Sequence, residues 1–426
     1  MNLPLSHNTL SVLVLALGTL VVVLGLVLWS VRRHRDPTLR IRSQQPIDEL
    51  VPSLAGLSLA TPIEGNAVEL LENAAFFDAL LDAIAGAQRS VHFETFLWKD
   101  GALSERLVAV LAERARAGVT VRVLLDAIGS KQVKGPIAEA LCAAGCRVEF
   151  FHRRSLRHLG TLNDRTHRKI VILDGMEAFV GGHCVVDHWI EPIGRGGVAD
   201  ISLRLRGPIV HAVQAAFSEN WVGHTGEMFV GDDVFPPLPP AGELVVHAAF
   251  AKPEGSAPAV KLFHHAALCL ARKRIWIQNP YFIPEPGTIV AFGEAVARGV
   301  DVRVLMPSAR SSDNPLVQHA GHRNFEKLLH AGVRLFEYPH ALLHQKVMTI
   351  DGAWSAVGSS NFDDRSFETN DEITLGILDE ALAGQLDAIF ERYAAEAAEV
   401  TLEQWRQRGL WHRVADHAAY SINELL

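Results

Sequence analysis

The chain states most of its content twice, in one order. "RSVHFETFLW" (89–98) returns as "RIWIQNPYF" (274–282), and "ARAGVTVRVLLDAIGS" (115–130) as "VARGVDVRVLMPSAR" (296–310). "AAGCRVEFF" (143–151) becomes "HAGVRLFEY" (330–338), and "HRKIVILDGMEAFVGG" (167–182) becomes "HQKVMTIDGAWSAVGS" (344–359). A period of roughly 180 residues is too long for a solenoid and suits two sister domains. Within each copy short β-branched runs alternate with helical patterns, so each is an α/β unit with a largely parallel sheet. Duplicated domains pack about a pseudo-twofold axis, which would bring the two copies of any motif face to face.

The punctuation sets the boundaries. "GHTGEMFVGDDVFPPLPPAG" has four prolines in five residues near its end and reads as a connector over 223–242. The two domains are then expected at 65–222 and 243–426, behind a polar linker at 32–64. The first helix should run from near Asn73, as its cap, to Ala87, with Phe76, Phe77, Leu80, Leu81 and Ile84 on one face. Ahead of the linker, residues 8–31 read as a single uncleaved transmembrane helix. Leu10 to Trp29 carries no charge, no Asp, Glu, Lys or Arg precedes Arg32, and twenty residues suffice to cross a bilayer. The basic cluster Arg32, Arg33, His34, Arg35 follows the span, which places the body on the cytoplasmic side of the cell membrane.

The repeated motif carries the chemistry. Each copy reads His-x-Lys-x-x-x-x-Asp-Gly: His167, Lys169, Asp174 and His344, Lys346, Asp351. Two residues apart on a strand, the His and the Lys project to one side. One copy alone could be a packed histidine beside a solvated lysine; two copies at matching places of a duplication argue against that. Histidine exchanges a proton near neutral pH and attacks phosphorus competently. Of two facing histidines, one can attack while the other protonates the leaving oxygen. The lysines supply fixed positive charge where the equatorial oxygens of a phosphoryl group gain negative charge. A phosphodiester uses all four groups, and the set needs no metal. The aspartates fit this site poorly. Seven residues of strand put Asp174 roughly 23 Å from His167, so Asp174 and Asp351 are expected to shape the Asp-Gly turn behind the site. Asp200 and Glu372, at corresponding places after each motif, are the expected carboxylates for the imidazoles.

These motifs, with "GSSNFDDRSF" after the second, resemble the phospholipase D superfamily. "FETFLWKDG", "IQNPYFIP", "RGVDVRVLMP" and "NFDDRSFETNDE" are similar to bacterial cardiolipin synthases in particular, and the likeness runs from about Glu64 to the C-terminus. The resemblance implies two tandem phospholipase D-like α/β domains with mixed sheets flanked by helices, sharing one site. It further implies a phosphohistidine intermediate, no cofactor, and exchange of one alcohol for another at an anionic phospholipid, with phosphatidylglycerol as donor and acceptor. His167 is then the nucleophile, His344 the acid/base, and Ser359 and Asn361 supporting residues. The first copy has Cys184 where the second has Asn361, a weak donor in place of an amide, so that half would bind phosphate less well or recruit His183 or a water. A hydrolase with water as acceptor uses the same residues.

The net charge of −8 and the anchor disfavour a nuclease. Four cysteines are too few to staple 426 residues, and Cys142 and Cys146 have no Cys/His neighbours at zinc spacing in the sequence. The run "FHRRSLRHLGTLNDRTHRK" (151–169), with five arginines against one acid, would attract anionic headgroups. His264 and His265 are expected to be structural or surface residues, and Trp221 and Trp405 packing aromatics.

Overall fold

The computed structural model describes residues 11–22, 45–151, 165–251 and 258–420. The chain divides into Met1–Arg40 and a compact unit, Ile41–Leu426. In the first, residues 11–22 are helical (α1). No helix among the described residues is long and apolar enough to cross a membrane; the remainder of the expected span at 8–31 lies outside them.

In the compact unit, α2 (Val51–Leu57) precedes the first repeat: β1 (Ile63–Glu72), α3 (Ala75–Gly86), β2 (Ser90–Thr95), α4 (Ala102–Arg116), β3 (Thr120–Asp126), α5 (Pro136–Ala143), β4 (Arg147–Phe151), β5 (Ile170–Leu173), β6 (Glu177–Gly181), β7 (Val198–Ala199), β8 (Ile201–Arg206) and α6 (Val210–Thr225). The second follows suit: β9 (Leu244–Ala251), α7 (Ala259–Leu270), β10 (Arg274–Gln278), α8 (Pro286–Ala297), β11 (Asp301–Pro307), α9 (Pro315–His330), β12 (Arg334–Tyr338), β13 (Leu342–Leu343), β14 (Val347–Ile350), β15 (Trp354–Gly358), β16 (Glu372–Leu378) and α10 (Glu380–Ala394). β17 (Ala398–Val400), α11 (Leu402–Arg406) and α12 (Leu410–Tyr420) close the described chain.

Fifteen of the seventeen described strands form one sheet, ordered β17-β12-β11-β10-β14-β15-β16-β9-β1-β8-β6-β5-β2-β3-β4, and β13 pairs with β7 apart from it. Apart from β17, the order reads the same outward from the β9–β1 pair in both directions, so the duplication is a mirrored strand order. The sheet is mixed. Only β2–β3–β4 and β10–β11–β12 are parallel, while the remaining pairs are antiparallel, which corrects the largely parallel expectation. The cause is local. Asp174-Gly175 has φ of 55° and 66°, and Asp351-Gly352 has 58° and 70°. Positive φ at both central residues is the mark of a type I′ turn, whose twist suits an antiparallel hairpin. Met176 N–H donates to Leu173 and Ala353 N–H to Ile350, closing both turns.

Helices pack on both repeats' strands through the apolar stripes that their periodicity announces. Phe76, Phe77, Leu80 and Ile84 of α3 bury with Val91, Phe93 and Val123, and Val260 and Phe263 of α7 bury with Ile275, Ile277 and Val304. Trp221 and Trp405 are buried packing residues. His264 and His265 are buried too, the former donating from Nδ1 to the Val260 carbonyl at 2.8 Å, so neither is a surface residue. Asn73 does not cap α3, which starts one residue after Ala74 with no side-chain cap. Its amide oxygen instead accepts the backbone N–H of Asp200 at 3.0 Å.

Candidate active site

The two motifs meet where the repeats face each other. His167 lies just before β5, and Thr166 forms a parallel bridge with Asp371. His344 lies just before β14, and β13 pairs in parallel with β7. Each bridge therefore delivers one histidine and the carboxylate of the opposite repeat to the same place. His167 Nδ1 stands 2.7 Å from Glu372 Oε1, and His344 Nδ1 stands 2.7 Å from Asp200 Oδ2. The carboxylates have crossed over: the second repeat orients the first histidine, and the first repeat the second. An Nδ1–H given to a carboxylate leaves Nε2 as the reactive nitrogen in both rings.

The lysines stay with their own histidines. Lys169 Nζ donates to the His167 carbonyl at 2.7 Å and Lys346 Nζ to the His344 carbonyl at 2.6 Å. All four side chains are buried. Burial first, then the charges of Lys169, Lys346, His344 and Arg365, pushes His167 well below the ordinary imidazole range. Burial, then Lys346, also lowers His344, against the pull of Asp200. Burial brings Lys346 down to about 8 and lowers Lys169 as well.

The two carboxylates differ. Burial raises Glu372 to about 7, although Lys169 and Ser359 act the other way. Burial would raise Asp200 too, but His344 and His183 outweigh it and hold the group at about 2. Asp200 also accepts from Trp189 Nε1 at 2.9 Å and from the Ile201 N–H at 2.9 Å, whereas Glu372 Oε2 accepts from the Ser359 hydroxyl. Gly182 occupies the place of Ser359, since a Cβ there would sit 2.2 Å from Asp200 Oδ1.

A cavity of about 210 Å³ opens beside His167, lined among others by Arg165, Tyr281, Asn314, Asn361 and Arg365. Asn361 Oδ1 is buried in this wall without a hydrogen-bond partner among the described residues, and Asp363, also lining it, is raised to about 6 by burial. Cys184, the counterpart of Asn361, is buried, and burial lifts its thiol to about 11. His183 is not recruited in its place. The ring stacks on Phe76 with centroids 4.2 Å apart, Nε2 donates to the Asn73 carbonyl at 3.0 Å, and Nδ1 accepts from Ser202 Oγ at 2.7 Å.

Asp174 and Asp351 sit in the hairpin turns and are not brought to the histidines. The Asp174 carboxylate accepts the backbone N–H groups of Gln88, Arg89 and Ser90, and Asp351 those of Arg272, Lys273 and Arg274, all at 2.7–3.1 Å. Each aspartate thus ties its hairpin to the start of β2 or β10. Three residues hold or make room for Asp200: Asn73, which the sequence offered only as a helix cap, Gly182, which stood in the motif without a role, and Trp189, which no spacing or composition flagged. Arg365 and Asp363 stood in the quoted "NFDDRSF", where their role was legible only as likeness. Of the arginine-rich run, 152–164 lies outside the described residues; Arg165 lines the cavity, and Arg168 is buried, donating to the Ala216 carbonyl at 2.7 Å.

Twin histidines, each with its lysine and a crossed carboxylate, on mirrored halves of one sheet are the arrangement of a phospholipase D-like enzyme. The family described as cardiolipin synthase, PLD-like domain matches residues 80–185 and 265–394. The chain is 34% identical over 367 residues to cardiolipin synthase A of Pseudomonas entomophila, covering 85% of this chain and 76% of the relative. It is 35% identical over 357 residues to the enzyme of the same name in Pseudomonas aeruginosa, covering 83% and 72%. Among solved structures, phosphatidylserine synthase of Haemophilus influenzae superposes with a TM-score of 0.68 at 12% identity, over 87% of this chain and 98% of that one. Polyphosphate kinase of Porphyromonas gingivalis gives 0.54 at 12%, over 91% and 57%. The structural likenesses speak for the fold alone. This chain belongs to the cardiolipin synthase, PLD-like domain family.

Proposed function

We propose that the chain is a membrane-anchored phosphatidyltransferase that makes cardiolipin and glycerol from two molecules of phosphatidylglycerol. His167 Nε2 attacks phosphorus, and the P–O bond to the headgroup glycerol breaks. His344, as imidazolium, gives its Nε2 proton to the leaving oxygen. The phosphatidyl group is then held on His167 while His344 is neutral. A hydroxyl of the second phosphatidylglycerol loses its proton to His344 and attacks phosphorus, which releases His167 and restores the starting proton count. Lys169 and Lys346 stabilise the charge that builds on the phosphoryl oxygens. Ser359 fixes Glu372, and Asn361 faces the phosphate from the cavity wall.

The observation that carries this reading is the crossed pairing, with an ionised Asp200 on His344 and a higher-affinity Glu372 on His167. An anionic Asp200 pulls His344, the acid, toward imidazolium against the burial and the Lys346 charge that lower it. His167, beside several cations, is kept neutral, as a nucleophile must be. Arg165 and Arg365 at the cavity suit an anionic lipid. The anchor is placed at 8–31 with the body on the cytoplasmic side, and the domains at 65–222 and 243–426 about a 223–242 connector, on the grounds of hydropathy, flanking arginines and Pro/Gly content.

Detergent-solubilised protein with phosphatidylglycerol as sole lipid and no added metal, read by mass spectrometry, tests the proposal. Cardiolipin with free glycerol supports it. Phosphatidic acid alone would replace it with a hydrolase in which water takes the acceptor's place.

A further inference from the structure

Away from the histidine pair, α9 and α12 share a group of side chains that no step above uses. His319 and His322 lie three residues apart on α9, hence on one helical face. Asp416 comes from α12, which packs along α9. One donor atom from each of the three lies within 4.8 Å of the other two. His319 Nδ1 is 2.8 Å from Asp416 Oδ1, and His322 Nδ1 is 3.9 Å from the same oxygen. Tetrahedral bonds of about 2.0 Å separate the ligand atoms of a zinc ion by roughly 3.3 Å. The two separations to Asp416 Oδ1 bracket that value, and all three donor atoms lie within 4.8 Å of one another, so modest side-chain shifts would bring them to one ion.

The surroundings are those of a metal site. His322 Nε2 lies 3.2 Å from Glu337 Oε1, which fixes its proton there and turns the Nδ1 lone pair inward. A carboxylate on the far nitrogen of a ligating imidazole orients the ring and raises its basicity. Asp416 is buried, and Arg408 Nη1 donates to its Oδ2 at 2.7 Å, leaving Oδ1 toward the histidines. Two carboxylates against one guanidinium leave a net negative charge for a cation to neutralise. His412, four residues before Asp416 on α12, has its ring centroid 6.5 Å from that of His319.

We propose that His319, His322 and Asp416 bind a divalent transition-metal ion of the zinc class, which staples α12 to α9 and takes no part in phosphoryl transfer. The staple would bear on the active site through packing. Ala419 of α12 buries against Ile283 and Val317, which line the cavity beside His167. The proposal stands on its own geometry and does not depend on which lipid the enzyme uses.

The test uses the full chain in detergent, untagged, stripped with chelator and dialysed, then titrated with Zn²⁺ under equilibrium dialysis with elemental analysis. One ion per chain and a zinc-dependent rise in melting temperature are expected, and Co²⁺ should give the strong visible absorption of a four-coordinate site. His319→Gln with His322→Gln should abolish the ion and the rise. Glu337→Gln, which touches no ion, should weaken zinc about tenfold. Cys142→Ser should leave binding unchanged. Absence of stoichiometric zinc, its survival in the double variant, or its loss with Cys142→Ser would each overturn the site and leave an Arg408–Asp416–His319 ion pair.

Discussion

His167 and His344 occupy equivalent places in the two repeats, yet their carboxylates differ by one methylene and in proton affinity, Glu372 standing near 7 and Asp200 near 2. The shorter aspartate is met by Trp189 and the Ile201 N–H, with Gly182 clearing its path. The longer glutamate meets a hydroxyl, Ser359, where the first repeat has that glycine. Burial would raise both carboxylates; at Asp200 the charges of His344 and His183 outweigh it, whereas at Glu372 Lys169 and Ser359 do not. A duplicated scaffold supplies two similar histidines, both lowered by burial; Asp200 opposes that lowering at His344, while the cations around His167 add to it. The other contrast, Asn361 against Cys184, points the same way, since an amide with an unpaired buried oxygen lines the cavity on one side only.

The sharpest way to break this comparison is to remove each histidine and vary the leaving group. With phosphatidylglycerol, His167→Ala and His344→Ala should each lose about 10⁴-fold or more in rate. With a phosphatidyl ester of p-nitrophenol, whose departure needs no proton, release of the phenol by His344→Ala should recover at least about tenfold relative to that loss, while His167→Ala stays inactive. Recovery in His167→Ala instead would reverse the roles.

The carboxylates come next. Asp200→Asn should cost about 10²-fold in kcat, because it removes an ionised partner, and Glu372→Gln only about tenfold, because glutamine imitates a group already half protonated near pH 7. The sign with pH follows from the raised Glu372. Its folded value lies above the ordinary 4.5, so its contribution to stability is complete below that value and is lost as pH rises through about 7. Glu372→Gln should therefore gain melting temperature relative to the natural protein between about pH 5 and pH 8. Asp200, held low, behaves oppositely, losing its contribution only as pH falls through about 2. A Glu372→Gln difference that stays flat across that range would show the two carboxylates to be alike.

The smallest expected effect on turnover comes from the motif aspartates. Asp174→Ala and Asp351→Ala each strip three backbone N–H groups of their acceptor and should destabilise by roughly 1–3 kcal/mol in urea titrations. Specific activity of the folded fraction should change less than about threefold. A loss comparable with that of the histidine variants would return these residues to the chemistry.

Much was legible in the residues alone. The ordered repeat gave two similar halves, the His-x-Lys spacing put both side chains on one strand face, and Asp-Gly marked the hairpins, because each depends on chain-local periodicity or on backbone conformations that few residues adopt. Strand rise, being nearly fixed, also separates Asp174 from His167 on sequence grounds alone. Tertiary structure alone decided that β1 and β9 join the halves into one sheet, that Glu372 crosses to His167 and Asp200 to His344, and that Asn73 holds Asp200 rather than capping a helix. Those outcomes depend on which strand edges and which buried polar groups meet across more than a hundred residues of chain, and no local pattern encodes that. Two carboxylates at matching positions could be named from the sequence; their difference in proton affinity arose only from the burial and the donors that the fold assembled around them.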